Sequence, residues 1–142
     1  MYWRSTCQAI AEAAVMRGDE LGPLHGLPIG IKDLEETEGL RTTYGSPIFR
    51  DFVPDADCGM VANLRANGAI ITGKTNTPEF GAGANTRNAV YGVTGNPFDP
   101  MKSAAGSSGG SGVALATNMF PICSGSDTGG SLRNPAAFNG IV

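Results

Sequence analysis

Two serine–glycine clusters set the limits on what this chain can build. Gly106-Ser107-Ser108-Gly109-Gly110-Ser111 precedes an apolar segment, and Gly125-Ser126-Asp127-Thr128-Gly129-Gly130-Ser131 follows it. A flexible Gly/Ser linker does not carry such apolar interruptions. Glycine lets backbone N–H groups approach a ligand closely and takes up φ > 0. A serine beside such N–H groups can be a nucleophile next to its own oxyanion hole. Ser131 is the candidate for that role.

The rest of the composition narrows the function classes. At 142 residues, with 41% hydrophobic and 16% charged residues, the chain is one domain's worth of globular protein and too apolar for a disordered one. A net charge of −3 without a basic run suggests neither a nucleic-acid nor a membrane surface. No apolar run approaches the ~18 residues of a membrane span, and Met1 to Trp3 does not read as a signal peptide. The expected location is cytoplasmic. Cys7, Cys58 and Cys123 are odd in number and far apart, and no Cys/His cluster has zinc spacing. They read as reduced, mostly buried thiols. No metal or cofactor is expected.

Along the chain, helical and strand patterns alternate, which argues for an α/β layered fold. Tyr2 to Arg17 has Trp3, Cys7, Ile10 and Ala14 at helical spacing, with Gly18 as a stop. Ile29-Gly30-Ile31-Lys32-Asp33 reads as a short buried strand ending on charge. Asp57 is the expected cap of a helix carrying Met60, Val61 and Leu64 and ending at Gly68. Ala69 to Thr72 is strand-like, and Thr77-Pro78 reads as a helix start. Gly81 to Lys102 is loop-like. Val113 to Ala116 suits a buried helix, and Phe120 to Cys123 a short strand. Beyond Lys102 only Asp127 and Arg133 carry charge.

Two familiar patterns fail on context. Gly68-Ala69-Ile70-Ile71-Thr72-Gly73-Lys74-Thr75 fits the P-loop letter for letter, but a P-loop needs a strand before its first glycine and a helix after its lysine. Here a helix precedes Gly68 and the intervening residues look like the strand itself. A nucleotide-binding role for Lys74 stays as the alternative. Gly106 to Gly110 contains the nucleophile-elbow pattern around Ser108, yet no strand precedes it and no histidine follows it. The only histidine, His25, sits in a proline–glycine turn, where a structural hydrogen bond is the expected job.

Without a histidine, a serine nucleophile needs another base, and lysine can serve if it loses a proton. Being mostly neutral at pH 7 needs a shift of ~3 units from about 10.4, or ~4 kcal/mol. Burial can supply that. Read alone, Lys32 would be a solvated lysine paired with Asp33 or Glu35. Facing a nearly uncharged serine–glycine wall, it suits the base role better than Lys74 or Lys102.

These segments together resemble the amidase signature family. The core motif runs from Gly106 through Arg133. Gly22-Pro23-Leu24-His25-Gly26-Leu27-Pro28-Ile29-Gly30-Ile31-Lys32-Asp33 resembles the family's lysine segment, and Gly73-Lys74-Thr75-Asn76 with Glu79-Phe80 a further stretch. The resemblance runs from about Gly22 to Val142, with the motifs in the family's order. It implies an α/β/α layered mixed sheet and amide C–N hydrolysis through an acyl-enzyme. The implied site is a Ser-Ser-Lys triad: Ser131 as nucleophile, Ser107 as bridging serine on a cis peptide bond, and Lys32 as base. Thr128, Gly129, Gly130 and Ser131 would offer backbone N–H groups to the oxyanion. Ser108 and Asp127 read as supports for the loops, with Asp127 either tying down backbone N–H groups or pairing with Arg133. An ordinary polar-loop role for both stays open. The implied partner is a small-molecule amide, and the substrate's identity and any oligomer are unreadable. Ala104-Ala105 replaces the Pro-Gly often found there. The chain reads as a partial domain over 1–142, and a partner-dependent, amidotransferase-like fragment is the other alternative.

Overall fold

The structure is a computed structural model describing residues 2–142, with side chains from Gln8 onward. The expected packing of Trp3 and Cys7 lies outside the described residues. Helix α1 spans Tyr2–Arg17. It ends where Gly18, at φ 72°, lets Gly18 N–H reach Val15 O and Asp19 N–H reach Ala14 O, both at 3.1 Å. This pair of bonds is the Schellman stop.

A small parallel sheet follows, in the order β2-β1-β5, from β1 (Pro28–Lys32), β2 (Ile70–Thr75) and β5 (Ile122–Cys123). Strand β1 is central and almost wholly buried, as its short apolar run requires. Ile29, Ile31 and Ile71 pack against Val61 of α2 (Gly59–Ala66) to form the core cluster, with Leu27, Leu40 and Leu64 at its margin. Alternation along β1 then sends Lys32 to the face opposite Ile31.

Register separates the two strand lysines. Lys32 pairs with Thr75, and Lys74 pairs with Ile31. Thr75 Oγ1 shares a 2.7 Å hydrogen bond with Ser111 of α3 (Gly109–Ala116), so Lys32 lies on the α3 face. Lys74 leaves the other way. Its ammonium donates to Glu35 O, to Thr37 Oγ1 at 2.9 Å and to Thr42 Oγ1 at 3.0 Å. Gly73 and Lys74 lie inside β2, which runs on to Thr75 instead of opening a helix at the lysine, so no P-loop forms.

Helix α3 packs on β1, β2, β5 and the last helix, α4 (Arg133–Asn139). Its glycine-rich start allows a very close approach to β2's exit. A Cβ added at Gly110 would sit 2.2 Å from the backbone nitrogen of Asn76. Because the obstacle is backbone, Gly110→Ala is expected to destabilise the full chain by about 3 kcal/mol, near the upper range for overpacking. Urea denaturation measures this, and a loss under about 0.5 kcal/mol, the size of an ordinary surface substitution, would contradict the packing.

Several local expectations are corrected. Asp57 does not cap α2: Cys58 occupies that position, while Asp57 pairs with Arg65 at 2.6 Å and accepts Glu38 N–H at 2.7 Å. The helix expected from Thr77-Pro78 shrinks to a single 3-10 turn, Glu79–Gly81. Phe80 at φ 51° and Gly81 at φ 71° are left-handed and cannot continue it. The loop-like stretch after Gly81 contains a short hairpin, β3 (Arg87–Asn88) with β4 (Gly92–Val93). The buried-helix expectation for Val113–Ala116 extends back to Gly109, and α4 has no counterpart among the sequence expectations. His25 bonds through Nε2 to Ala11 O at 3.0 Å, joining its turn to α1. Cys58 and Cys123 are free, partly buried thiols, and burial pushes Cys123 up to about 11. Among the described residues no helix is long and apolar enough to cross a membrane.

Candidate active site

The end of β1 carries Lys32 under the N-terminus of α3. Lys32 is 0% exposed. Its Nζ lies 2.7 Å from Ser107 Oγ, 2.9 Å from Ser108 Oγ and 2.9 Å from Ser126 Oγ. Three hydroxyls therefore meet the three donors of an ammonium, and no carboxylate is among them. Desolvation dominates as a result and lowers the Lys32 pKa to about 8, with Glu35 and then Asp127 pulling weakly back up. This falls short of the shift that would leave the amine mostly neutral at pH 7, but makes the neutral form accessible.

The backbone around Lys32 is fixed from β5. Ser124 N–H donates to Gly30 O at 2.8 Å, and Lys32 N–H donates to Ser124 Oγ at 2.7 Å. Ser111 Oγ donates to Ser124 O at 2.7 Å.

The three hydroxyls around Nζ are not equivalent. Ser108 Oγ donates to Ser126 O and accepts from Ser126 N–H, each at 3.3 Å, so its proton is committed away from Lys32. Ser107 Oγ bonds only to Lys32 among the described residues. A neutral Lys32 amine can accept the Ser107 proton, and Ser107 can then accept one from a further hydroxyl. The Gly106–Ser107 peptide bond is cis.

Asp127 organises the second cluster. Its carboxylate accepts Gly130 N–H at 2.7 Å, Leu132 N–H at 3.0 Å and Arg133 N–H at 3.1 Å, and the Arg133 guanidinium at 3.0 Å through both Nε and Nη2. Asp127 thus both ties down backbone N–H groups and pairs with Arg133. The Arg133 side chain, then these backbone donors, hold its carboxyl well below the usual carboxylate range. Arg133 itself is exposed.

Ser131 sits at the centre of this clamped loop. Its carbonyl accepts Ser108 N–H at 3.0 Å, tying the second cluster to the first. Its hydroxyl makes no hydrogen bond among the described residues, to Ser107 or to any other group. Of the four N–H groups expected to face an oxyanion, that of Gly130 is taken by Asp127. Those of Thr128, Gly129 and Ser131 have no acceptor among the described residues. The arrangement therefore brings Lys32, Ser107 and Ser108 into contact and joins Ser131 to them through backbone.

Sequence reasoning missed Ser126 and Ser124. Ser126 lies in the second cluster one residue before Asp127, which is its only signal. Ser124 carries none.

Comparison with known proteins bears on this geometry. The family model described as Amidase matches residues 3–142. A glutamyl-tRNA(Gln) amidotransferase subunit from Alkaliphilus metalliredigens is 50% identical over 139 residues, covering 94% of this chain and 28% of that protein. The protein of the same name from Thermus thermophilus is 51% identical over 119 residues, covering 84% and 25%. The solved peptide amidase of Stenotrophomonas maltophilia superposes with a TM-score of 0.88 at 37% identity, covering 94% of this chain and 28% of that one. The chain spans about a quarter of the length of the curated relatives it matches.

Proposed function

Because the chain belongs to the amidase family, we propose that its serine–lysine site cleaves an amide C–N bond through an acyl-enzyme on Ser131. The observation that carries the reading is the fully buried Lys32 amine, 2.7 Å from Ser107 Oγ with its pKa lowered to about 8. In this reading Ser131 Oγ attacks the carbonyl carbon and passes its proton to Ser107, whose own proton goes to the neutral Lys32 amine. The carbonyl oxygen becomes an oxyanion facing the N–H groups of Thr128, Gly129 and Ser131. Each such preorganised donor is worth ~10²–10³-fold in rate. The proton returns through Ser107 to the leaving nitrogen, which needs it because an amine anion leaves poorly. Water then attacks the acyl-enzyme by the same relay and releases the carboxylate. Asp127 and Arg133 hold the loop.

The substrate class is a small-molecule amide and the location cytoplasmic. A second reading is favoured by the 47–51% identity to chains named as subunits of glutamyl-tRNA(Gln) amidotransferase. In it the same site splits an amide to supply ammonia and works with partner subunits. Amide hydrolysis that appears only on adding those subunits would favour it.

A fluorophosphonate probe tests the nucleophile. One adduct per chain is expected, located on the Ser131 peptide by mass spectrometry. An adduct on Ser108 would move the nucleophile to the first cluster and overturn the assignment.

A further inference from the structure

We propose that Thr86 is a positioning residue that sets Ser107 against Lys32, an inference that rests on the active-site reading above. Thr86 is 1% exposed and immediately precedes β3. Its Oγ1 donates to Ala105 O at 2.9 Å and accepts Gly109 N–H at 3.0 Å, and lies 3.4 Å from Ser107 O. Its backbone N–H donates to the same Ala105 carbonyl at 3.1 Å. One hydroxyl therefore holds both ends of the corner that presents Ser107 and Ser108.

The chemistry of the site explains why this hydroxyl must come from elsewhere in the chain. The first N–H groups of a helix need outside acceptors. Ser108 stands at the N-cap of α3, where a serine side chain ordinarily supplies one. Here it makes no cap bond, because its Oγ is engaged by Lys32 and Ser126. Outside groups satisfy the first turn instead: Thr86 Oγ1 accepts Gly109 N–H at 3.0 Å and Asn76 O accepts Gly110 N–H at 3.2 Å, which leaves Ser108 free to hold the lysine. The fit is close: a Cβ added at Gly109 would lie 2.3 Å from Thr86 Oγ1.

The corner also has anchors independent of Thr86. Asn139 Nδ2 donates to Ala104 O at 3.0 Å, and Ser108 N–H donates to Ser131 O at 3.0 Å. Loss of the Thr86 hydroxyl is therefore expected to displace the corner rather than unfold it. A misplacement of about 1 Å at reacting groups can cost ~10²-fold in rate.

Thr86→Ala and Thr86→Ser in the full chain test this, with amide hydrolysis and near-UV circular dichroism read together and Ser107→Ala alongside. Thr86→Ala is expected to lower kcat roughly 10- to 100-fold with KM within about threefold, and Thr86→Ser to recover kcat to within about threefold of the parent. Retention of kcat within about twofold in Thr86→Ala overturns the role, as does a loss that Thr86→Ser does not recover. Should Thr86→Ala lack a native near-UV spectrum, Thr86→Val is read by the same criteria. Full activity in Ser107→Ala overturns the active-site reading itself. An inactive Ser107→Ala beside a fully active Thr86→Ala overturns only the positioning role.

Discussion

Ser131→Ala in the full chain is expected to abolish amide hydrolysis, lowering kcat on the order of 10⁴-fold or more, with little change in stability. The two halves of this expectation have separate causes. Removing a nucleophile removes the covalent route, and what remains is binding and oxyanion stabilisation. Stability is insulated because the Ser131 hydroxyl makes no hydrogen bond among the described residues. The structural work at this position is done by its carbonyl, which accepts Ser108 N–H and survives the substitution. Deleting an unbonded hydroxyl falls within about 0.5 kcal/mol. Steady-state kinetics and a urea melt on the same preparation read both. A variant that keeps kcat within about tenfold of the parent would remove Ser131 from the mechanism, whatever its stability.

What could be read from the sequence and what could not divides along contact distance. The two serine–glycine clusters are legible because their chemistry is written in consecutive residues, whereas Lys32 read alone is a solvated lysine and stands out only once the uncharged serine–glycine wall is set against the apolar run that ends on it. The strand under Lys32 is legible from that apolar run. The partners that finish the site are not. Ser126 meets Lys32 across 94 positions, and Thr86 meets Gly109 across 23. No local pattern encodes such pairs.

The start of α3 shows a second kind of miss. Gly109 and Gly110 disfavour helix intrinsically, yet they are helical because only a residue without Cβ fits beside Thr86 and Asn76. Tertiary approach overrides propensity there. At Thr77-Pro78 the reverse holds: the local signal for a helix start is good, and the left-handed Phe80 and Gly81 cut it to one turn. Asp57 carries a fair capping signal, but Arg65 at 2.6 Å and Glu38 N–H claim its carboxylate.

The pH profile separates two lysines that burial has made alike. Lys32 and Lys74 are both lowered to about 8, each chiefly by desolvation. They leave opposite faces of the sheet, and only Lys32 reaches the serines. A base must be neutral to accept a proton, so the active fraction is the deprotonated one. At a pKa of about 8 that fraction is roughly one-tenth at pH 7, so kcat/KM is expected to rise about tenfold toward alkaline pH and level off above pH ~9. An unshifted lysine would keep the rate climbing past pH ~10. Lys32→Met is expected to lower kcat by about 10³-fold, within the range for a positioned general base, and to replace the plateau by a rise that follows hydroxide. Lys74 remains intact in that variant. Its ammonium still holds Thr37 and Thr42, so its titration still runs near pH 8. A midpoint near 8 that persisted in Lys32→Met would belong to Lys74 and would remove Lys32 as the base. A midpoint that vanishes with Lys32 assigns the proton transfer to the one buried amine in contact with Ser107.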